Sequence, residues 1–204
     1  MAGHVEDKKI SILTESYCHV VPEREHAELD MGCGAGSFTT ALAARYPERI
    51  IYAADVMLGR LRKVVRKMEN LQLDNMRVLR VEARNLIAMM LPDASLDRIH
   101  ILCPDPWPKK RHRGNRLLCS DFTTQLHRVL KSDGIFHFSS DDEYYCDAVN
   151  KVIAASGLFE SYQDGIADLT DIKSDFEKRW LAEGKMVHHR AWRKLPLPQI
   201  TIGH

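Results

Sequence analysis

The stretch Ala27-Glu28-Leu29-Asp30-Met31-Gly32-Cys33-Gly34-Ala35-Gly36-Ser37-Phe38-Thr39-Thr40-Ala41-Leu42-Ala43-Ala44 decides how the rest of the chain reads. Ala27 to Met31 is a strand-like run, Gly32 to Gly36 is G-C-G-A-G, and Ser37 stands near the start of a segment of good helix formers. Strand, glycine turn and helix in that order make the first unit of a doubly wound α/β sheet. Glycines at such a turn permit tight backbone and let a ligand lie against it at the helix N-terminus. The spacing G-x-G-x-G departs from the dinucleotide pattern G-x-G-x-x-G, because Ser37 stands where the last glycine belongs. Asp30 also opposes a pyrophosphate, since a carboxylate there repels phosphate and attracts an ammonium.

Working outward, the βα alternation continues. Ile50 to Asp55 is a second strand that ends in an acid, at the distance of about 20 residues from the glycine loop where an acid accepts ribose hydroxyls. Met57 to Asn70 carries Leu58, Leu61, Val64, Val65 and Met68 at helical spacing, with Arg60, Arg62, Lys63, Arg66 and Lys67 on other faces. That basic face is either solvated or turned to nucleic acid. Met76 to Val81, closed by Glu82, is a third strand, followed by a short helix to Met90. Leu96 to Leu102 is a fourth strand, and it runs into C-P-D-P-W-P-K-K-R-H-R-G-N-R, Cys103 to Arg116. Pro104, Pro106 and Pro108 exclude helix, so Asp105 and Trp107 are held on a stiff, extended loop at a strand tip. Lys109, Lys110, Arg111, Arg113 and Arg116 suit a large polyanionic substrate; a proline turn with solvated charges is the alternative.

Leu117 to Lys131 reads as a helix, Ser132-Asp133-Gly134 as a turn, and Ile135 to Ser139 as a fifth strand ending at Ser140-Asp141-Asp142-Glu143. Tyr145 to Ser156 is the next helix and Gly157-Leu158-Phe159 begins a short strand. Asp164 to Asp175 reads as a polar loop and Phe176 to Ala182 as a helical turn or two. Gly184 to Trp192 alternates like a strand, so the chain should close with an antiparallel hairpin at the sheet edge. The acids Asp30, Asp55, Glu82, Asp105 and Asp141 all fall at the carboxyl ends of successive strands, where open α/β sheets bind ligands. A cofactor with an ammonium, a sulfonium and no phosphate fits that set. The expectation is a Rossmann-like class I methyltransferase that uses S-adenosylmethionine, with a mostly parallel seven-stranded sheet.

The 204 residues, 45% hydrophobic and 28% charged, are expected to form a single domain with an N-terminal extension over 1–24 and an extended tail over 195–204. The net charge of +1 conceals the basic loop and an acidic segment around Asp164 to Glu177. Five cysteines without a C-x-x-C pair suggest neither a disulfide framework nor zinc, and His188-His189 would point to opposite faces of a strand, so no metal is expected. No run approaches the roughly 18 apolar residues of a membrane span, and a cytoplasmic protein without a membrane partner is expected.

The run Pro104-Asp105-Pro106-Trp107-Pro108-Lys109-Lys110-Arg111-His112 resembles the hallmark loop of the tRNA (guanine-N7)-methyltransferases. Three further segments agree in order. Asp30 to Gly36 looks like that family's first motif, Ser140-Asp141 resembles its Thr-Asp after strand five, and Ser174-Asp175-Phe176-Glu177 is similar to its C-terminal T-x-F-E segment. The resemblance spans about Ala27 to Trp192. It implies S-adenosylmethionine held by Asp30, Gly32, Gly34, Gly36, Asp55, Glu82 and Asp105, the guanosine of tRNA held by Lys109, Asp141 and the segment from Ser174 to Glu177, and Asp105 as the catalytic group. The family usually has Glu in place of Asp30 and Asp55, Thr in place of Ser140 and Ser174, and two basic residues in place of Gly114-Asn115. Those departures keep open a methyltransferase for another RNA or a small molecule, or a catalytically silent RNA-binding relative.

Overall fold

Strands form where apolar residues run without interruption between two helical layers, because a parallel sheet is covered on both faces. Every residue of Ala27–Met31 (β2) and Ile50–Asp55 (β3) is buried. The computed structural model describes residues 7–13, 19–105, 111 and 116–197. Trp107, Lys109 and the Gly114-Asn115 departure lie outside them.

Around β2 and β3 the chain builds, in order, Ile10–Ile12 (β1), Ser37–Arg45 (α1), Leu58–Asn70 (α2), Met76–Arg80 (β4), Ala83–Asn85 continuing as a wider turn over Leu86–Met90 (α3), and Leu96–Leu102 (β5). There follow Ser120–Val129 (α4), Leu130–Ser140 (β6), Glu143–Ser156 (α5), Phe159–Ser161 (β7), a 3-10 helix over Gln163–Leu169, Asp175–Ala182 (α6) and His188–Lys194 (β8). The sheet order is β1-β4-β3-β2-β5-β6-β8-β7. All neighbours are parallel except β8, which runs antiparallel to both β6 and β7. The edge hairpin is thus present.

The sheet has eight strands rather than the expected seven. The additional one is β1, drawn from the N-terminal segment and paired with β4 from Ile10↔Val78 to Ile12↔Arg80. Three residues are too few for a period-2 pattern to register, so its signal lies in the pairing alone. Helix α4 is shorter than expected at both ends. Leu130 pairs with Leu96, the register then shifts, and Arg98↔Ile135 resumes the ladder, so the Ser132-Asp133-Gly134 turn is an irregularity inside β6. Residues 164–175 are not a polar loop. Ile166, Leu169 and Ile172 are all buried, at a spacing of three that aligns side chains on a 3-10 helix and that intervening polar residues disguise. The tail begins docked, with the Leu195 amide donating to Leu158 O at 2.9 Å.

Alternation along β3 divides the core. Ile50, Tyr52 and Ala54 face the layer of α4 and α5, whereas Ile51 and Ala53 face α1, α2 and the 3-10 helix. No described helix is long and apolar enough to cross a membrane.

Candidate active site

The carboxyl ends of β2 to β6 open into one cleft of about 560 Å3, a size usual for a small-molecule site. Gly32, Asp55, Glu82, Asp105 and Asp141 line it over an apolar floor that includes Met31, Val81 and Ile101. Phe176 and Trp180 of α6 close one side. Five of the residues expected at the site therefore meet in one space.

The glycine loop is tied to β3 by two amides, those of Gly32 and Cys33, which both donate to Ala54 O at 2.8 and 3.0 Å. The three glycines all have left-handed φ but do different things. A Cβ at Gly32 would meet nothing within 4 Å, which leaves its backbone open toward the cleft; a Cβ at Gly36 would stand 2.8 Å from a Val64 methyl, so this glycine lets α1 approach α2. Gly34 donates its amide to Asp55 Oδ2 at 3.1 Å. The other oxygen of Asp55 accepts the Met57 amide at 2.8 Å, and Arg60 Nη1 lies 3.7 Å from Oδ2. Asp55 thereby fixes the loop as well as facing the cleft. Gly34 and Gly36 do not line it.

Asp30 does not line the cleft either. It is buried beneath the loop and accepts a hydrogen bond from Thr39 Oγ1. Burial pushes its carboxyl up to about 7; the Thr39 hydrogen bond pulls it down, and the neighbouring Asp55 and Asp175 add to the rise. Between about pH 4 and about pH 7 the folded chain keeps a proton on Asp30 that the unfolded chain has released, so stability falls as pH rises through that window, by at most about 1.4 kcal/mol per pH unit. Asp30→Asn, a neutral replacement of like shape, should remove that loss. Thermal melts at about pH 5 and about pH 8 should show the variant gaining on the wild type at the higher pH; equal pH slopes in the two proteins would assign the titration to another group.

Asp105 owes its place to the residue two before it. Cys103 has φ 49°, a left-handed conformation that costs a non-glycine residue on the order of 1 kcal/mol, and it turns the chain sharply out of β5. Its amide donates to Ser139 O at 2.9 Å, extending the β5–β6 ladder by one bond, and its side chain is partly buried with the thiol pushed up to about 11 by that burial. Pro104 then delivers Asp105, exposed, to the cleft rim. The far end of the loop is anchored by Arg84, which donates to Arg116 O at 2.8 Å, and by the Arg116 guanidinium lying 4.6 Å from the Tyr145 ring centre. In the acidic cluster after β6, Asp142 is committed to capping α5 by accepting the Tyr145 amide at 3.0 Å, which leaves Asp141 as the cleft carboxylate. Glu82 likewise caps α3 through the Asn85 amide at 3.0 Å while lining the cleft.

Ser174 and Glu177 are placed beside the cleft and not in its lining. Ser174 caps α6 by accepting the Glu177 amide at 3.1 Å. Glu177 is 2% exposed, with Oε1 at 2.8 Å from Lys173 Nζ and 3.0 Å from His189 Nε2. Burial acts to raise its carboxyl, but those two partners outweigh burial and hold it below the usual range. Of the α6 residues that do line the cleft, Phe176 lies in the expected segment and Trp180 does not; aromatics four apart after a Ser-x-x-Glu helix start were the signal for it. Asp175, expected with its segment at the substrate, has a structural role instead. It receives the Ser37 amide at 3.0 Å and the Ser37 hydroxyl at 2.6 Å, so it caps α1 from 138 residues away and ties α6 to the glycine loop.

The donor set suits the expected cofactor. The lining carries four carboxylates and one guanidinium, that of Arg60. An ammonium and a sulfonium are welcome there and a pyrophosphate is not. Among the described residues, no group of three or more His, Cys, Asp or Glu side chains is arranged to hold a metal ion, and Cys33, Cys103, Cys119 and Cys146 are free thiols.

The family model described as a putative methyltransferase matches residues 24–190. A tRNA (guanine-N(7)-)-methyltransferase of Syntrophotalea carbinolica is 35% identical over 186 residues, covering 88% of this chain and 79% of that protein. One of Neisseria meningitidis serogroup A is 36% identical over 166 residues, covering 80% and 68%. The relative from Thermotoga maritima bearing the same name is 31% identical over 159 residues, and this chain spans about half of its length, 50%. Among solved structures, the crystal structure of the 16S rRNA methyltransferase KamB superposes with a TM-score of 0.62 at 15% identity, covering 85% of this chain and 90% of that one, a likeness of fold. Family model, relatives and cleft agree, and the chain belongs to the tRNA (guanine-N(7)-)-methyltransferase family.

Proposed function

We propose that this chain transfers the methyl group of S-adenosylmethionine to N7 of a guanine in tRNA. The observation that carries the reading is the convergence of Gly32, Asp55, Glu82, Asp105 and Asp141 in one cleft at the strand ends. When bound, the cofactor supplies an electrophilic methyl on a sulfonium. Asp55 and Glu82 would hold its ribose and adenine and Gly32 would offer it open backbone, while Asp30, Gly34 and Gly36 hold the loop in shape beneath. Asp105, exposed at the cleft rim, would act between cofactor and base.

Guanine N7 carries an in-plane lone pair and no proton at neutral pH, so the chain's task is positioning rather than proton removal. The base gains positive charge as the methyl arrives, and the carboxylates of Asp105 and Asp141 stabilise that charge from fixed positions. Lys109 and the basic residues after it take phosphate. Ser174 and Glu177 contribute by building the start of α6, whose Phe176 and Trp180 wall the cleft. We infer a single domain working in the cytoplasm, where tRNA and reduced thiols are found.

Labelled methyl transfer onto mixed tRNA, with the modified base mapped, tests the reading; product at N7 of guanine in tRNA supports it, and label on another RNA or none overturns it. A second expected result concerns salt. With about five phosphate contacts, affinity for tRNA should fall by roughly 10^2- to 10^3-fold between about 50 and about 200 mM salt. A flat response in a filter-binding titration would remove the basic loop from the docking surface.

A further inference from the structure

A line of buried and partly buried ionisable side chains crosses the sheet on the α1 side. Glu28 Oε2 meets His100 Nε2 at 2.9 Å, His100 Nδ1 meets His137 Nδ1 at 3.0 Å, His137 Nε2 meets His189 Nδ1 at 2.9 Å, and His189 Nε2 meets Glu177 Oε1 at 3.0 Å. The register explains the alignment. His100 pairs directly with His137, while Glu28 and His189 sit two positions from those two residues' direct partners, Asp30 and Ala191, and so on the same face. Phe38 seals the line from α1, its ring 4.9 Å from that of His100.

Four hydrogen bonds join these five groups, and each needs one proton. A neutral imidazole supplies one and an ionised carboxylate none, so three neutral histidines fall one short. Both carboxylates are held ionised. Glu28 is met by Arg49 and, at 3.2 Å, by Arg98, and Glu177 by Lys173 at 2.8 Å. The fourth proton therefore makes one histidine an imidazolium. His137 is a poor place for it, fully enclosed between two other imidazoles with no carboxylate in contact, and burial drives its basicity well down. His100 is also buried and stands beside an acid already answered by two guanidiniums; burial outweighs the pull of Glu28 and lowers it. His189 is partly exposed, with a carboxylate answered by a single lysine. Other titratable groups beside the line among the described residues include Asp30, the direct ladder partner of His100, Asp168, paired with Arg98, and Cys103 near the Glu177 carboxylate.

We propose that Glu28, His100, His137, His189 and Glu177 form a proton-sharing relay carrying one imidazolium, at His189, and that this charge positions α6 as the aromatic wall of the cleft. Helix α6 has two tethers of opposite kind. Asp175 ties its start to Ser37 at the glycine loop, and Glu177 ties its first turn to β8 through His189, while Phe176 and Trp180 face the cleft between them. With both ring nitrogens of His189 protonated, the Glu177 tether is an ion pair as well as a hydrogen bond. His189 is thus a positioning residue, and the functional part of the proposal rests on the cleft being the S-adenosylmethionine site.

The relay is tested first without any activity, by nitrogen NMR of 15N-histidine-labelled protein near neutral pH. His189 should show two protonated nitrogens, His100 a proton on Nε2 and His137 a proton on Nδ1; three neutral rings would overturn the relay. Calorimetry with S-adenosylmethionine near neutral pH then tests its consequence. His189→Arg, which keeps a positive charge beside Glu177, should bind like the wild type, and His189→Gln should be about 10-fold weaker, each with the wild-type circular dichroism. A glutamine variant that binds as tightly as the wild type would overturn the positioning role. Failure of the wild type itself to bind would overturn the cofactor reading and leave the relay standing or falling on the nitrogen shifts.

Discussion

Asp105→Asn should lower kcat/KM for methyl transfer to tRNA by about 10^3-fold, the loss typical when one preorganised electrostatic group is removed from a reacting centre. Asparagine keeps the shape and one acceptor but not the charge that opposes the cation forming on the base. The carboxylate is exposed at the cleft rim, so its neutralisation should leave Tm within about 1 °C. The turn that presents it, with Cys103 at φ 49° bonded to Ser139, is built from other atoms. Single-turnover transfer of labelled methyl, run beside a thermal melt, separates the two effects. Near wild-type turnover would remove Asp105 from the chemistry, and a large fall in Tm would assign it to the fold.

Arg98→Ala should produce the largest loss of stability. The guanidinium is buried, forms two 2.9 Å bonds to both oxygens of Asp168, sits 3.2 Å from Glu28 through Nε, and lies 5.4 Å from the Tyr46 ring centre. It joins the 3-10 helix to β5 and β2 at the end of the sheet opposite the cleft. Removing one partner from a buried ion group strands the others, at a cost of roughly 3–5 kcal/mol. For a chain of this size that lowers Tm by about 10–15 °C. Glu28 would keep Arg49 and His100, and Asp168 would keep Tyr46. A melt within about 2 °C of wild type would show that these remaining partners suffice. Because Asp105 is remote from this cluster, the two substitutions should add when combined.

Much of the cleft was legible because its signals are local. A strand followed by glycines or prolines announces itself within a dozen residues, and an acid at each strand end needs only the βα alternation to be placed. That is why Gly32, Asp55, Glu82, Asp105 and Asp141 converge as expected. Asp30 and Glu177 were legible as acids near the site but not as buried ones. Whether a carboxylate faces a ligand or a Thr39 hydroxyl depends on how α1 lies across β2, and no spacing along the chain encodes that.

By itself, then, the amino-acid order determined the doubly wound architecture and the strand ends that carry acids, since each follows from backbone preferences acting over neighbouring residues. Tertiary structure alone decided which side chains share an environment. Ser37 and Asp175 meet across 138 residues to lay α6 against the glycine loop. Glu28, His100, His137 and His189 look like isolated polar residues in four separate strands until the register sets them side by side. The physical reason is that hydrogen bonding and charge act through space at about 3 Å, whereas the periodicities of a sequence report only on which face of its own element a residue stands.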